Sequence, residues 1–309
     1  MKEKLMSALK KLIPCLGLII LIAVFSLGSG GKFLELSNLQ LIVKQTTIVI
    51  IVGYGATFVM GHGNMDLSLG GILAISSIVG WMASKASPIL MIPVCIITGV
   101  AVAIAVGWVH IALRVPYFIV GLCTMFIGKG TAEVCAQKSN IFLPSVYAGL
   151  DQFWFYLVCL IVVFVIGHIL LEYTKLGRYN KMIGANAQSA ELSGIPINRY
   201  KMYAFMASGV TVGIGAFLSM VRTGGVTATT GSGVEMDVII GLVLGGVSLS
   251  GGPKTKMYSI ILGSFILTCL SNGLILVGVN PSYVNAIKAL VFLGSVYFAY
   301  GHNSDSILV

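Results

Sequence analysis

Long apolar runs recur along the chain, separated by short polar links. A helix needs about 20 apolar residues to cross a bilayer, and runs of this order cover 12–28, 41–60, 67–83, 89–113, 117–134, 153–171, 200–221, 257–276 and 283–300. A tenth apolar stretch, 238–250, stops at Gly251-Gly252-Pro253. It is too short for a full span unless it is tilted, broken or re-entrant and buried in protein. The pattern predicts an all-α polytopic membrane protein with about ten transmembrane helices, some of them broken or re-entrant. It also predicts one transmembrane domain over 1–309 and an interior loop at about 173–199 as the longest polar stretch.

Composition agrees with that class. Of the 309 residues 57% are hydrophobic, only 9% are charged, and the mean hydropathy is +0.98. Glycine, at 38 residues, is in excess, as expected where helices approach closely in a membrane. Such a chain excludes a soluble domain, a disordered chain and a secreted disulfide scaffold. The net charge of +9 does not point to nucleic acid, because basic residues kept on the cytoplasmic side account for it. The six cysteines show no CxxC spacing and sit mostly in apolar runs, which argues against a metal or disulfide role.

Charge also sets orientation. With ten crossings, Lys2, Lys4, Lys10, Lys11, Arg114, Lys175, Arg178, Lys181, Arg199, Lys201, Lys254 and Lys256 all fall on one side, leaving 7 of the 19 basic residues elsewhere. That side is the cytoplasm, and it holds both termini. Within the interior loop, Asn186 is a candidate helix N-cap and Gly194 a stop, followed by Pro196. Trp81, Trp108 and Trp154 fall near span ends, where indoles anchor at the interface.

Two polar, glycine-rich breaks interrupt the apolar sequence. The first, 61–71, carries His62, Asn64, Asp66 and Ser68 among Gly61, Gly63, Gly70 and Gly71. Irregular backbone at membrane depth is tolerated only where it lines a cavity or is buried in protein. Asp66 and Ser68 therefore either cap the next helix or line a path, and the two roles are compatible. The second break, 223–237, carries Glu235 and Asp237, which either serve a path, pair with Arg222 or cap the following half-helix. Met65-Asp66 followed by Gly70 resembles Met236-Asp237 followed by Gly241, and the two lie five crossings apart, which suggests an inverted repeat. His168 and Glu172 read as an interfacial i,i+4 pair, and Lys288 as either near the outer boundary or paired with a neighbour such as Asn285. No nucleophile elbow, zincin motif or P-loop is present, so no enzyme chemistry is expected of this chain.

Five segments in order carry a resemblance to the permeases of ribose/galactose-type ABC importers. They are Met65–Gly70, Val115–Met125 with its Pro116, Gly184–Ile195, Gly231–Asp237 running into Val243–Gly252, and Asn272-Gly273-Leu274 followed by Gly278-Val279 and Pro281. The resemblance implies that Asn186, Gln188, Ser189, Ala190, Glu191, Leu192, Ser193, Gly194 and Ile195 form a coupling helix that docks on a cytosolic ATP-hydrolysing subunit. It implies a second, identical or homologous permease and an extracytoplasmic solute-binding protein, in a bacterial inner membrane. This chain would bind no cofactor, ATP being used by the partner. His62, Asn64, Asp66, Ser68, Tyr117, Thr124, Glu235, Asp237 and Asn272 become the candidate path residues for a sugar or sugar-like neutral solute. The chain departs from the family at Gln188 and Glu191, which replace an acidic and a basic residue of the docking surface. It departs again at His62-Gly63-Asn64, where the family has T-G-G. From the residues alone, an ion-coupled secondary transporter using Asp66, Glu235 or Asp237 is the alternative.

Overall fold

The computed structural model describes residues 17–138, 141–248, 251–252 and 257–300. The basic residues Lys2, Lys4, Lys10, Lys11, Lys254 and Lys256, on which part of the orientation argument rests, lie outside the described residues. In chain order the helices are α1 (Gly17–Gly28), α2 (Leu36–Gly61), α3 (Leu69–Ser84), α4 (Met91–Ala112), α5 (Tyr117–Lys138), α6 (Phe153–His168), α7 (Lys175–Ala185), α8 (Ala187–Leu192), α9 (Ile197–Thr223), α10 (Val234–Leu244), α11 (Ser259–Leu276) and α12 (Pro281–Tyr300). A helix thus occupies each of the ten apolar segments, and α7 and α8 fill the polar loop.

Among the described residues six spans are long and apolar enough to cross a membrane: Leu36–Gly61, Pro88–Ala112, Tyr117–Lys138, Phe153–Tyr173, Ile197–Thr223 and Ser259–Leu276. At 1.5 Å per residue α3 is about 24 Å long and α10 about 16 Å, both short of a ~30 Å hydrocarbon core. α10 begins earlier and ends earlier than the apolar stretch 238–250. Its first turn admits Glu235 and Asp237, whose charges suit a helix N-terminus, and it ends at Gly245, which is followed by Gly246 with φ +88°.

α2 and α9 form the centre. Their apolar windows are 78% and 67% buried, against 17% for the span that contains α6. The outward-facing span is also the more apolar, with a mean hydropathy of 2.7 against 1.5 and 1.8 for the two buried ones, as a surface turned to lipid requires. The end of α2 touches α7 through Gly61, and α9 starts just after α8, so α2 and α9 run in opposite directions. α3 packs on α4, α5 and α9, while α10 packs on α11, α12 and α2; α4 crosses α9, and α11 crosses α2. Exchanging α2, α3, α4 and α5 for α9, α10, α11 and α12 maps each of these contacts onto another. The α2/α9 contact maps onto itself, as a two-fold axis between the two would require.

On the side away from α7 and α8, Ile141–Phe142 (β1) and Gly225–Val226 (β2) form a two-residue antiparallel ladder, with Ile141 opposite Val226 and Phe142 opposite Gly225. The apolar pattern gives no sign of it, and part of the second polar break is therefore ordered by pairing with the loop after α5.

Candidate translocation path and coupling helix

The nine candidate path residues do not form one wall. They fall at three depths, measured from the side that carries α7 and α8.

Nearest that side lies the first break. The Ser68 amide and hydroxyl both donate to Asp66 Oδ1, at 2.9 and 2.6 Å, and the Ser208 hydroxyl on α9 reaches Asp66 Oδ2 at 3.5 Å. The Tyr117 side chain interacts with both Asp66 and Ser68. Asp66 is 1% exposed. Its carboxylate ties the entry of α3 to α5 and α9 from a closed interior; the bond to the Ser68 amide closes a local turn just before the helix, and no side chain caps the first turn of α3. Tyr117 is fixed in turn by stacking on Phe205, with ring centroids 4.7 Å apart and planes 7° apart. Thr124, further along α5, donates to Val120 O of its own helix. His62 and Asn64 behave differently. Both ring nitrogens of His62 and Nδ2 of Asn64 are buried without a hydrogen-bond partner, as are both polar atoms of Asn180 on α7. Buried polar atoms of this kind usually have a partner, so among the described residues this cluster stands out as unsatisfied.

At mid-depth the two short helices meet head to head. Gly70, in the first turn of α3, lies so close to Glu235 Oε2 and to the Gly231 carbonyl that a Cβ has no room, and Gly231 lies equally close to Gly70 O. Glu235 is 3% exposed and pairs with Lys129 of α5, Nζ to Oε1 at 2.6 Å. Its Oε2 has no hydrogen-bond partner and faces the N-terminus of α3. The charge is thus offset by a lysine and by two helix N-termini, its own and that of α3.

On the far side, Asp237 pairs with Lys288 of α12 at 2.8 Å, beside a cavity of about 190 Å³ between α2, α9, α10, α11 and α12. Neither carboxylate of the second break pairs with Arg222, and Lys288 pairs with Asp237 and not with Asn285. Arg222 lies instead near Asp151 and Tyr156, and Asp151 binds Lys44 at 3.0 Å. Asn272 donates to Asn38 Oδ1 at 2.9 Å, a tie between α11 and α2 outside the cavity lining. His168 stacks on Phe164, and Glu172 pairs with Lys181 at 2.7 Å; this braces α7 against the end of the span before it.

Sequence reasoning missed Ser208, Asn180 and Lys129. Lys129 was findable, since a cation well inside an apolar helix calls for a buried partner. Ser208 and Asn180 carry no such signal.

The loop element is capped at both ends. The Ser189 amide donates to Asn186 Oδ1 at 2.9 Å. At the other end Gly194 has φ +81°, its amide bonds Glu191 O at 2.9 Å, and the Ile195 amide reaches back to Ala190 O at 3.1 Å. This is the Schellman arrangement, which needs a left-handed residue where Gly194 stands. Ala190 and Ile195 close an apolar cluster with Ile183, while Leu192 is 85% exposed. α7 abuts the end of α2: Gly184 leaves no space for a Cβ beside Gly61 O, and the Gly252 amide donates to that same carbonyl at 3.2 Å. α7 is therefore in direct backbone contact with the end of α2, next to the break that opens α3.

The model of the family described as "Branched-chain amino acid transport system / permease component" matches residues 38–296. The chain is 32% identical over 298 residues to the ribose import permease protein of Bacillus subtilis (strain 168), covering 93% of this chain and 92% of that protein. It is 31% identical over 297 residues to the ribose import permease protein of Escherichia coli (strain K12), covering 91% of each. The D-allose transport system permease protein of the same E. coli strain is 29% identical over 294 residues, covering 91% of this chain and 87% of that one. No solved structure matches.

Proposed function

The chain belongs to the family of branched-chain amino acid transport system permease components and is the permease subunit of an ABC importer of the sugar class; from this we propose how it handles its solute. ATP hydrolysis belongs to a separate subunit, and this chain works with ATPase and solute-binding partners in a bacterial inner membrane. We assign it a single transmembrane domain of ten crossings with both termini cytoplasmic. α3 and α10 act in it as half-helices whose ends meet at mid-depth, which is how transporters with broken helices place a path.

In this reading, residues 184–195 are the element that the cytosolic ATPase pushes. Exposed Leu192 and the positions Gln188 and Glu191 face the ATPase. The caps at Asn186 and Gly194 keep the element rigid enough to move as one body, and the Gly184/Gly61 contact carries the movement to α2. A second permease, identical or homologous, completes the path, and an extracytoplasmic binding protein delivers solute on the side of β1 and β2. The solute is a neutral, hydroxyl-rich molecule of the kind named for the relatives. The path charges Glu235 and Asp237 are each matched by a lysine, as suits a path for a neutral solute.

The abutment of the doubly capped α8 unit on the end of α2 through α7 carries this proposal. Its test is uptake of radiolabelled D-ribose, D-allose and D-fructose by vesicles that contain the chain with its co-purifying ATPase and binding protein. ATP-dependent uptake of one of the three is expected. Uptake that follows a proton or sodium gradient and ignores ATP would sink it.

A further inference from the structure

The cavity beside Asp237 has a composition that the path assignment does not explain. It reaches from Arg222, one residue before the far end of α9, to about 10–14 Å below the far ends of α12 and α2, counted from Pro281 to Lys288 and from Leu36 to Gln45 at 1.5 Å per residue. Five separate helices contribute to its wall, so it is a designed convergence and not a groove between two neighbours.

The wall mixes donors and acceptors. Lys288 spends one of its three N–H bonds on Asp237 Oδ1, leaving two to give and leaving the other carboxylate oxygen to accept. Arg222 lines the same cavity with a side chain whose Nε is itself closed off from it. The Ser271 hydroxyl donates to Leu267 O at 2.8 Å, so what it presents to the cavity is its lone pairs. Gln45 adds an amide that both donates and accepts. Ile48 and Leu267 supply apolar surface between these groups.

Groups that alternate donor and acceptor around an apolar floor match a molecule whose every hydroxyl both donates and accepts and whose ring has a C–H face. An apolar solute leaves the two remaining Lys288 N–H bonds unanswered, at a cost of the kind that buried unpaired groups incur. The volume, about 190 Å³, is that of about six waters at ~30 Å³ each, room for one pentose or hexose ring.

We infer that this cavity is a weak binding site for a single neutral monosaccharide, entered from the side opposite the coupling helix and emptied toward the centre. The inference rests on the importer reading for its place in transport, but not for binding itself. Asp237 and Lys288 are the specificity-determining pair, one accepting from and the other donating to the ring hydroxyls. Weak binding is what transport needs, since a solute held tightly at the entrance does not move on.

Two measurements test it. In the first, Ser271→Cys in the assembled complex is labelled with a small charged thiol reagent, and modification is followed at that position by peptide mass. Slowing of labelling at least threefold by D-ribose, D-allose or D-fructose at tens of millimolar, and not by D-gluconate, is expected. No slowing by any of the three, or stronger slowing by the acid, overturns the proposal. This measurement needs no ATP and stands even if the importer reading fails. In the second, Gln45→Leu and Ser271→Ala each remove one polar contact without burying a charge. Uptake at low solute concentration should fall about 5- to 10-fold, the loss of one hydrogen bond, and should recover toward the wild-type rate at saturating solute. Wild-type uptake in both variants overturns the site and leaves the importer reading intact, whereas absence of ATP-driven uptake in the wild type overturns the importer reading alone.

Discussion

The Lys129–Glu235 pair should hold the two half-helices together, and its worth follows from its burial. Glu235 is 3% exposed and the Lys129 side chain 26%, so the pair sits where solvent screens little. Removing one partner leaves an uncompensated buried charge, at a cost of about 3–5 kcal/mol, whereas replacing both by uncharged groups of similar size is often close to neutral. Lys129→Met and Glu235→Gln should therefore each be severe, and the double variant mild. For proteins of 150–250 residues 1 kcal/mol corresponds to about 2–4 °C in Tm; at this chain's size the lower figure applies, giving a fall of about 6–10 °C for each single variant. Thermal unfolding of the purified complex in detergent reads this directly. The double variant is expected within about 3 °C of wild type, a departure from additivity larger than unconnected sites show. If the double variant falls by the sum of the two singles, the lysine and the glutamate act independently and the head-to-head junction is held by something else.

Three further outcomes follow from the same geometry. Asp66→Ala removes the acceptor of the Ser68 bonds in a fully buried site and should cost about 1–3 kcal/mol; immunoblotted protein should drop severalfold while uptake per molecule stays within twofold, and loss of uptake at full protein level would instead make Asp66 a path residue. Gly184→Ala forces α7 off Gly61, an overpacking cost of about 1–3 kcal/mol offset by about 1 kcal/mol of helix propensity; ATP hydrolysed per solute imported should rise at least threefold, while Gly294→Ala, where a Cβ meets nothing within 4 Å, should leave that ratio unchanged. Gly194→Val puts a β-branched residue at φ +81°, worth about 1–3 kcal/mol of strain, and should reduce co-purification of the ATPase without altering the helix content seen by circular dichroism.

Much of the fold can be read from apolar periodicity, because in a membrane the length of an apolar run and the need to satisfy backbone groups leave few options. Every apolar run became a helix, and the largest error in bounds was at α10. There a hydropathy window extends through Val247 and Leu249, although glycines end the helix at Leu244, and it rejects the acidic residues that helix N-termini favour. The cap at Asn186 and the stop at Gly194 were legible for a similar reason, since both are local. Partners were not legible. Lys129 and Glu235 are 106 residues apart, and Asp237 and Lys288 are 51 apart. Arg222 was simply the nearest cation in sequence to both acids, and sequence proximity says nothing about which side of a helix faces which neighbour.

The repeated Met-Asp motif shows where such local reading misleads. Asp66 lies three residues before the start of α3 at Leu69, whereas Asp237 lies three residues after the start of α10 at Val234. The two aspartates are thus out of register by six residues relative to their helices, and the likeness of the motifs is not the alignment of the halves. The repeat resides instead in the exchange of helix contacts, which depends on many apolar positions and tolerates drift in any one of them. That drift has a consequence. In the first half the carboxylate is spent on closing the entry of a helix, wholly buried against Ser68, Ser208 and Tyr117. In the second half it has moved a turn and a half along, out of the turn before the helix and onto the wall of a cavity, where it meets Lys288. One half-helix is thereby anchored and the other carries its carboxylate on a cavity wall. An inverted repeat with two chemically identical halves would offer equal footholds on both sides of the membrane; under the proposed function this division gives the entry side a binding wall and the coupling side a fixed joint.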